Sequence, residues 1–193
     1  MKSLNEINWS QAFNFVFQNV ELVMLKIAHN ISNLSDARYF AAAGFDWILF
    51  NFGPGSLEHK HHIFGISEWI SGSKTGIVVH DHEELNYFLA YHPELKGFWI
   101  NNHIGPMPLL DASFSIFNNS EHDYPEVFKI IQTPIVKESI ENLILDLTHL
   151  NPDGIELPEL SISGICLSGT EEESPGLKSY HQMEKWMDIL EEL

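Results

Sequence analysis

Histidine and asparagine gather where the short apolar runs of this 193-residue chain give out: Ala28-His29-Asn30, Asn51, His80-Asp81-His82, Asn101-Asn102-His103, Asn118-Asn119 and Ser168-Gly169. Brought together, such side chains would make a polar, mainly uncharged pocket for a small molecule, able to donate, to accept and, at a histidine, to move a proton. The same residue types also suit turns, and strand ends are where turns begin. His29, His80 and His103 could meet around a metal ion as neutral imidazoles, with Asp81 or His82 adding a ligand. Neighbouring strand residues point to opposite faces, so at most one of His80 and Asp81 serves that purpose. No metal and no cofactor is assigned on this pattern. His59-Lys60-His61-His62 lacks both a fixed carboxylate and a helical i, i+4 pair, and reads as an exposed loop. The single cysteine, Cys166, rules out an internal disulfide and any multi-cysteine zinc centre; within Ile165-Cys166-Leu167 it reads as a small buried filler.

The elements that must hold these residues follow from composition and periodicity. With 44% apolar residues the chain can bury one sizeable core and is short for two, so residues 1–193 are expected to form one domain. No apolar run approaches the ~20 residues of a membrane span, and Met1-Lys2-Ser3-Leu4-Asn5-Glu6 lacks the order of a signal peptide, so a cytoplasmic protein is expected. Ten basic residues against 27 acidic ones, net −17, repel phosphate backbones. Nucleic acid and anionic membrane are therefore not expected partners.

Short β-branched or aromatic runs alternate with polar turns and helix-period stretches, the pattern of βα units around a parallel sheet. The runs at 22–27, 47–51, 76–80, 97–101, 113–117, 129–136, 154–157 and 162–167 make eight candidate strands. Ser35 can cap a helix over 36–43 that stops at Gly44, and a second helix spans 83–91 before Pro93. From Ser139, Ile140, Leu143, Ile144, Leu147 and Leu150 fall at helical spacing, and a last helix occupies 179–193. Trp47, Trp69, Trp99 and Trp186 stand inside elements and read as packing residues. An aromatic amphipathic segment over 8–20 either closes the bottom of the fold or forms a dimer contact, so a homodimer is one expected state. Eight units would have only ~22 residues each, against ~30 in a typical barrel. The expected fold is thus α/β: a trimmed (βα)8 TIM-type barrel over 21–193, with an N-terminal helical extension over 1–20 and some helices missing in its second half.

Two stretches carry a family resemblance. Leu25-Lys26-Ile27-Ala28-His29-Asn30-Ile31-Ser32-Asn33-Leu34-Ser35-Asp36-Ala37-Arg38, running on through Ala43-Gly44-Phe45-Asp46-Trp47, resembles the opening Lys-Ile-Cys-Gly, Ile-Thr-Asn-Leu and Gly-Ala-Asp elements of phosphoribosylanthranilate isomerase. Gly164-Ile165-Cys166-Leu167-Ser168-Gly169-Thr170-Glu171, with Ser174-Pro175-Gly176-Leu177-Lys178, is similar to that family's closing Gly-Ile-Asp-Val-Ser-Ser-Gly-Val-Glu and Ser-Pro-Gly-Val-Lys.

The resemblance implies an Amadori rearrangement on an eight-stranded barrel in tryptophan biosynthesis, with a cysteine base at the end of strand one and an aspartate acid later in the barrel. It sets the cysteine against Ala28, which cannot accept a proton, and the following glycine against His29, with Asn30 inserted next. His29 is the candidate replacement base, imidazole titrating nearer neutrality than a thiol. Asp146 is the candidate acid, although the helical spacing around it would make it a surface residue; Asp81 is the other candidate. The family's substrate-contacting arginine has no counterpart in Phe52-Gly53-Pro54-Gly55-Ser56-Leu57-Glu58, and its strand-four His-Gly is replaced by Asn101-Asn102. Ser168, Gly169 and Thr170 take the place of the family's phosphate-holding loop, so a small phosphorylated ligand is expected there, with Asn51, His80 and Asn101 completing the pocket. The expectation is a catalytically diverged or inactive isomerase-like protein retaining that pocket. The alternatives are an active isomerase using His29, and a metal-assisted enzyme using the strand-end histidines.

Overall fold

Trp47-Ile48-Leu49-Phe50 and Leu143-Ile144-Leu145 are apolar at every position, which suits strands buried on both faces rather than on one. In the computed structural model, which describes residues 24–54, 65–100, 115–118, 128–131, 142–152, 162–169 and 178–191, such runs form eight parallel strands. They are β1 (Leu25–Ile31), β2 (Trp47–Phe50), β3 (Lys74–Val79), β4 (Gly97–Ile100), β5 (Ser115–Asn118), β6 (Phe128–Ile131), β7 (Leu143–Asp146) and β8 (Gly164–Ser168). Each pairs with its successor, and β8 closes on β1 from Leu25 opposite Gly164 to His29 opposite Ser168.

Alternation along the strands makes two apolar layers. Ile27, Trp47, Leu49, Val78, Trp99, Phe117, Ile130, Ile144 and Cys166 fill the barrel. Gly97 belongs to this packing: a Cβ there would stand 2.6 Å from the Trp47 ring, so its absence makes room for that indole. Ala28, Ile48, Phe50, Leu145 and Leu167 face outward onto the helices. These include α1 (Leu34–Ala42), α2 (His82–Tyr91) and α3 (His181–Glu191).

Four expectations change. The seventh strand is Leu143–Asp146, not 154–157, which lies outside the described residues; the helix expected from Ser139 is overturned over 142–146. A strand apolar on both faces has no period of two to read, and its residues fell by chance at helical spacing. The cap of α1 is Asn33, whose side chain accepts the Asp36 N–H at 2.9 Å, while Ser35 lies exposed inside the helix. Trp69 is 67% exposed rather than packed. The extension over 8–20 lies outside the described residues. No helix among those described is long and apolar enough to cross a membrane.

Candidate functional site

Parallel strands deliver their C-terminal ends to one mouth, and the sequence places polar residues there. On β1, Ile27 points into the barrel, Ala28 outward and His29 inward again, where its ring stacks on Trp99 at 4.5 Å between centroids. The register with β2 then slips: Ala28 lies opposite Ile48 but Ile31 opposite Phe50, so one extra residue is taken up in a bulge. Within it Asn30 has φ 60, the left-handed conformation that glycine adopts most easily.

Asp146 ends β7, facing inward and only 5% exposed, so the surface position expected from helical spacing is corrected. His29, 12% exposed, brings Nε2 to 3.7 Å from Asp146 Oδ1 and to 3.2 Å from Thr148 Oγ1. The Thr148 N–H donates to Asp146 Oδ1 at 3.0 Å, and the Ser168 N–H donates to Thr148 Oγ1 at 3.0 Å. Thr148 is thus the hub of this half of the mouth. Sequence reading passed over it, although Asp-x-Thr after a strand is a turn signal in which the carboxylate accepts the backbone N–H two residues on.

Burial by itself would raise the Asp146 pKa. Hydrogen bonding and charge attraction from His29, with the Thr148 hydroxyl and N–H, outweigh it and hold the carboxyl at about 2, against an ordinary 3.8. A pKa depressed in the folded state stabilises the fold fully above the unfolded value and ceases to do so as pH falls through the folded one. Asp146 therefore contributes on the order of 2 kcal/mol near neutrality, lost between about pH 4 and about pH 2. In urea melts across that range, Asp146→Asn should flatten the wild-type decline by this amount; an equally steep decline in the variant would refute the assignment.

The other half of the mouth joins Asn30, Asn51 and His80. Asn51 donates through Nδ2 to Asn30 Oδ1, and its Oδ1 accepts the Gly53 N–H at 2.9 Å and lies 3.3 Å from His80 Nε2. His80 is held by its N–H, which donates to Glu84 Oε2 at 2.9 Å, while Asp81 caps α2 by accepting the Glu84 N–H at 2.8 Å. Asp81 is thereby a helix cap, not an acid at the mouth, and His80 faces Asn51 rather than a metal trio with His29. His103, Asn101 and Thr170 lie outside the described residues.

Two amides of the expected phosphate cradle already have partners. The Ser168 N–H is bonded to Thr148, and the Gly169 N–H donates to the His29 carbonyl at 2.8 Å, so both amides are already used. Thr148, Ser168 and Gly169 also border a cavity of about 330 Å³ whose opposite wall is Ser179, Gln182, Met183 and Trp186.

A closed parallel barrel with polar groups converging at the C-terminal ends of its strands defines the TIM-barrel class, whose ligand sites lie at that mouth. Within that class, two solved phosphoribosylanthranilate isomerases share the fold along nearly the whole chain. Monomers of the dimeric enzyme from Thermotoga maritima superpose with a TM-score of 0.62 at 19% identity, covering 89% of this chain and 100% of that one. The enzyme from Thermus thermophilus gives 0.60 at 19% identity, covering 88% of this chain and 99% of the other. No protein-family model matches the chain, and no curated protein matches it in sequence. The likeness establishes the barrel, and it is to the same family that the two terminal stretches resemble.

Proposed function

We propose that this chain is a phosphoribosylanthranilate isomerase-like barrel that has diverged from that reaction and holds a small polar molecule at the strand C-termini. One observation carries the reading: the residues offered as separate base and acid, His29 and Asp146, are engaged with each other, 3.7 Å apart and both bonded to Thr148. A general acid must carry a proton at working pH, and a carboxyl held at about 2 does not. Asp146 orients the imidazole, leaving His29 as the proton carrier of this half of the site.

The strand geometry supports reading His29-Asn30, rather than Ala28-His29, as the counterpart of the family's Cys-Gly. Ala28 faces the helices and has no access to a ligand, whereas His29 faces the mouth and Asn30 has the backbone a glycine would take. The base has then been exchanged rather than erased. The sole arginine, Arg38, is exposed on α1, so it does not supply the missing substrate contact. Asn51, His80 and the Ser168 hydroxyl are the ligand-facing groups of this reading, to which the sequence adds Asn101 and, for any phosphate on the ligand, Thr170. The reading takes 1–193 as one barrel with an abbreviated second half, since 119–127 is all that separates β5 from β6. Pairing of two copies, the state of the Thermotoga enzyme, belongs to the same reading.

Complementation of an isomerase-deficient tryptophan auxotroph decides between this reading and the active alternative. The wild-type chain is expected not to restore growth. Growth would overturn divergence, and its loss in His29→Ala would identify His29 as the working base.

A further inference from the structure

Three inward-facing side chains on successive strands share one spot in the mouth. Asp146 lies opposite Cys166 in the β7–β8 register, Cys166 lies opposite Ile27 in the β8–β1 register, and His29 is the next inward residue of β1. Their ligand atoms, a carboxylate oxygen, Sγ and an imidazole nitrogen, all lie within 4.8 Å of one another. In a tetrahedral centre with N and O donors at ~2.0–2.1 Å from the ion, neighbouring donors stand ~3.3 Å apart. The 3.7 Å between His29 Nε2 and Asp146 Oδ1 is within a few tenths of an ångström of that spacing.

We propose that His29, Asp146 and Cys166 bind a divalent transition-metal ion of the zinc class. The donor set is mixed N, O and S, which suits zinc and its neighbours and not magnesium or calcium. Charge favours it as well. On binding, the Cys166 S–H bond breaks and a sulfur–metal bond forms, a proton held on His29 Nε2 gives way to a nitrogen–metal bond, and both protons pass to solvent; with the imidazole neutral, one thiolate and one carboxylate balance the two positive charges of the ion. Outer contacts are already made: the imidazole is stacked on Trp99, and the carboxylate accepts the Thr148 N–H. With three protein ligands, a fourth position is left for a water or a ligand atom; Thr148 Oγ1 lies 3.2 Å from His29 Nε2.

The inference deepens the proposed function and rests on its placing of the ligand site at this mouth: with the ion bound, His29 is a ligand and is withdrawn from proton transfer. Its test is separate from growth. The full-length chain, purified without a histidine tag and stripped with a chelator, is titrated with Co²⁺ and then Zn²⁺. Expected are about one equivalent bound, a thiolate-to-cobalt charge-transfer band in the near ultraviolet, and displacement of that band by Zn²⁺. Cys166 is the only cysteine, so the wild-type band alone identifies the ligand. Outer-shell changes by themselves cost ~10–100-fold in metal affinity, so Cys166→Ser and His29→Ala should each weaken binding by at least ~100-fold. Binding of less than about a tenth of an equivalent, or cobalt bound without the thiolate band, would overturn the site; the second outcome would assign the ion to histidines elsewhere. Growth of the auxotroph would sink the divergence reading while leaving the stoichiometry as measured.

Discussion

Asp36→Ala is expected to destabilise the fold by about 3–5 kcal/mol, the range for removing one partner of a buried ion pair. Asp36 is 1% exposed and accepts from Lys178 Nζ at 2.8 Å, Tyr180 OH at 2.7 Å and Asn33 Nδ2 at 2.9 Å. Alanine would leave the Lys178 ammonium, itself 9% exposed, without its carboxylate, and would strip the Tyr180 hydroxyl of an acceptor. It would also loosen the start of α1, where Asn33 and Asp36 bond reciprocally. Urea unfolding should show a lower midpoint at unchanged slope. A loss below about 1 kcal/mol would mean the cluster behaves as an exposed pair and the account is wrong.

Trp186→Ala should cost a similar about 3–5 kcal/mol, here through a cavity. Trp186 is fully buried on α3 within the outward apolar layer, with Met183 beside it in the same stripe and Leu167 of β8 in the same cluster. Its Nε1–H has no hydrogen-bond partner among the described residues. A buried unsatisfied donor is a burden of about 1–3 kcal/mol, so Trp186→Phe, which keeps an aromatic ring and removes that donor, should lose far less than Trp186→Ala. Thermal melts of the two variants separate volume from polarity. Equal losses would show that the indole N–H is satisfied after all.

The parts of the fold that were readable in sequence are those where a local signal and the tertiary environment agree. Trp47–Phe50 and Gly97–Ile100 are short β-prone runs bounded by polar turns, and the strands formed within a residue of the reading. β7 was missed because both of its faces are buried, which removes the alternation that marks a strand, and Asp146 was misjudged with it. His29 and Asp146 were named separately, but nothing in the sequence joins residues 29 and 146; closure of β8 onto β1 does. Thr148 was overlooked as a site residue for a related reason. It is unremarkable alone and acquires chemistry only from its neighbours on other strands, whereas Cys166, read as a small buried filler, does sit in the barrel core. The two stretches that resemble the isomerase family were readable as two separate motifs; the β1–β8 register and the Asp36–Lys178 pair bring them into direct contact.

That seam has a kinetic side. Lys178 and Asp36 are separated by 142 residues, and β8 emerges from the ribosome after every strand to which the rest of the barrel is pinned. Contacts this distant in sequence impose a large loop-closure entropy before they return any stabilisation, which slows folding. Until β8 docks, β1 and β7 expose unpaired edges, the kind of surface that recruits other chains. Barrel closure thus waits on the strand pairing of greatest sequence separation, β1 with β8, and the longer those two edges stay unpaired the longer they are open to other chains.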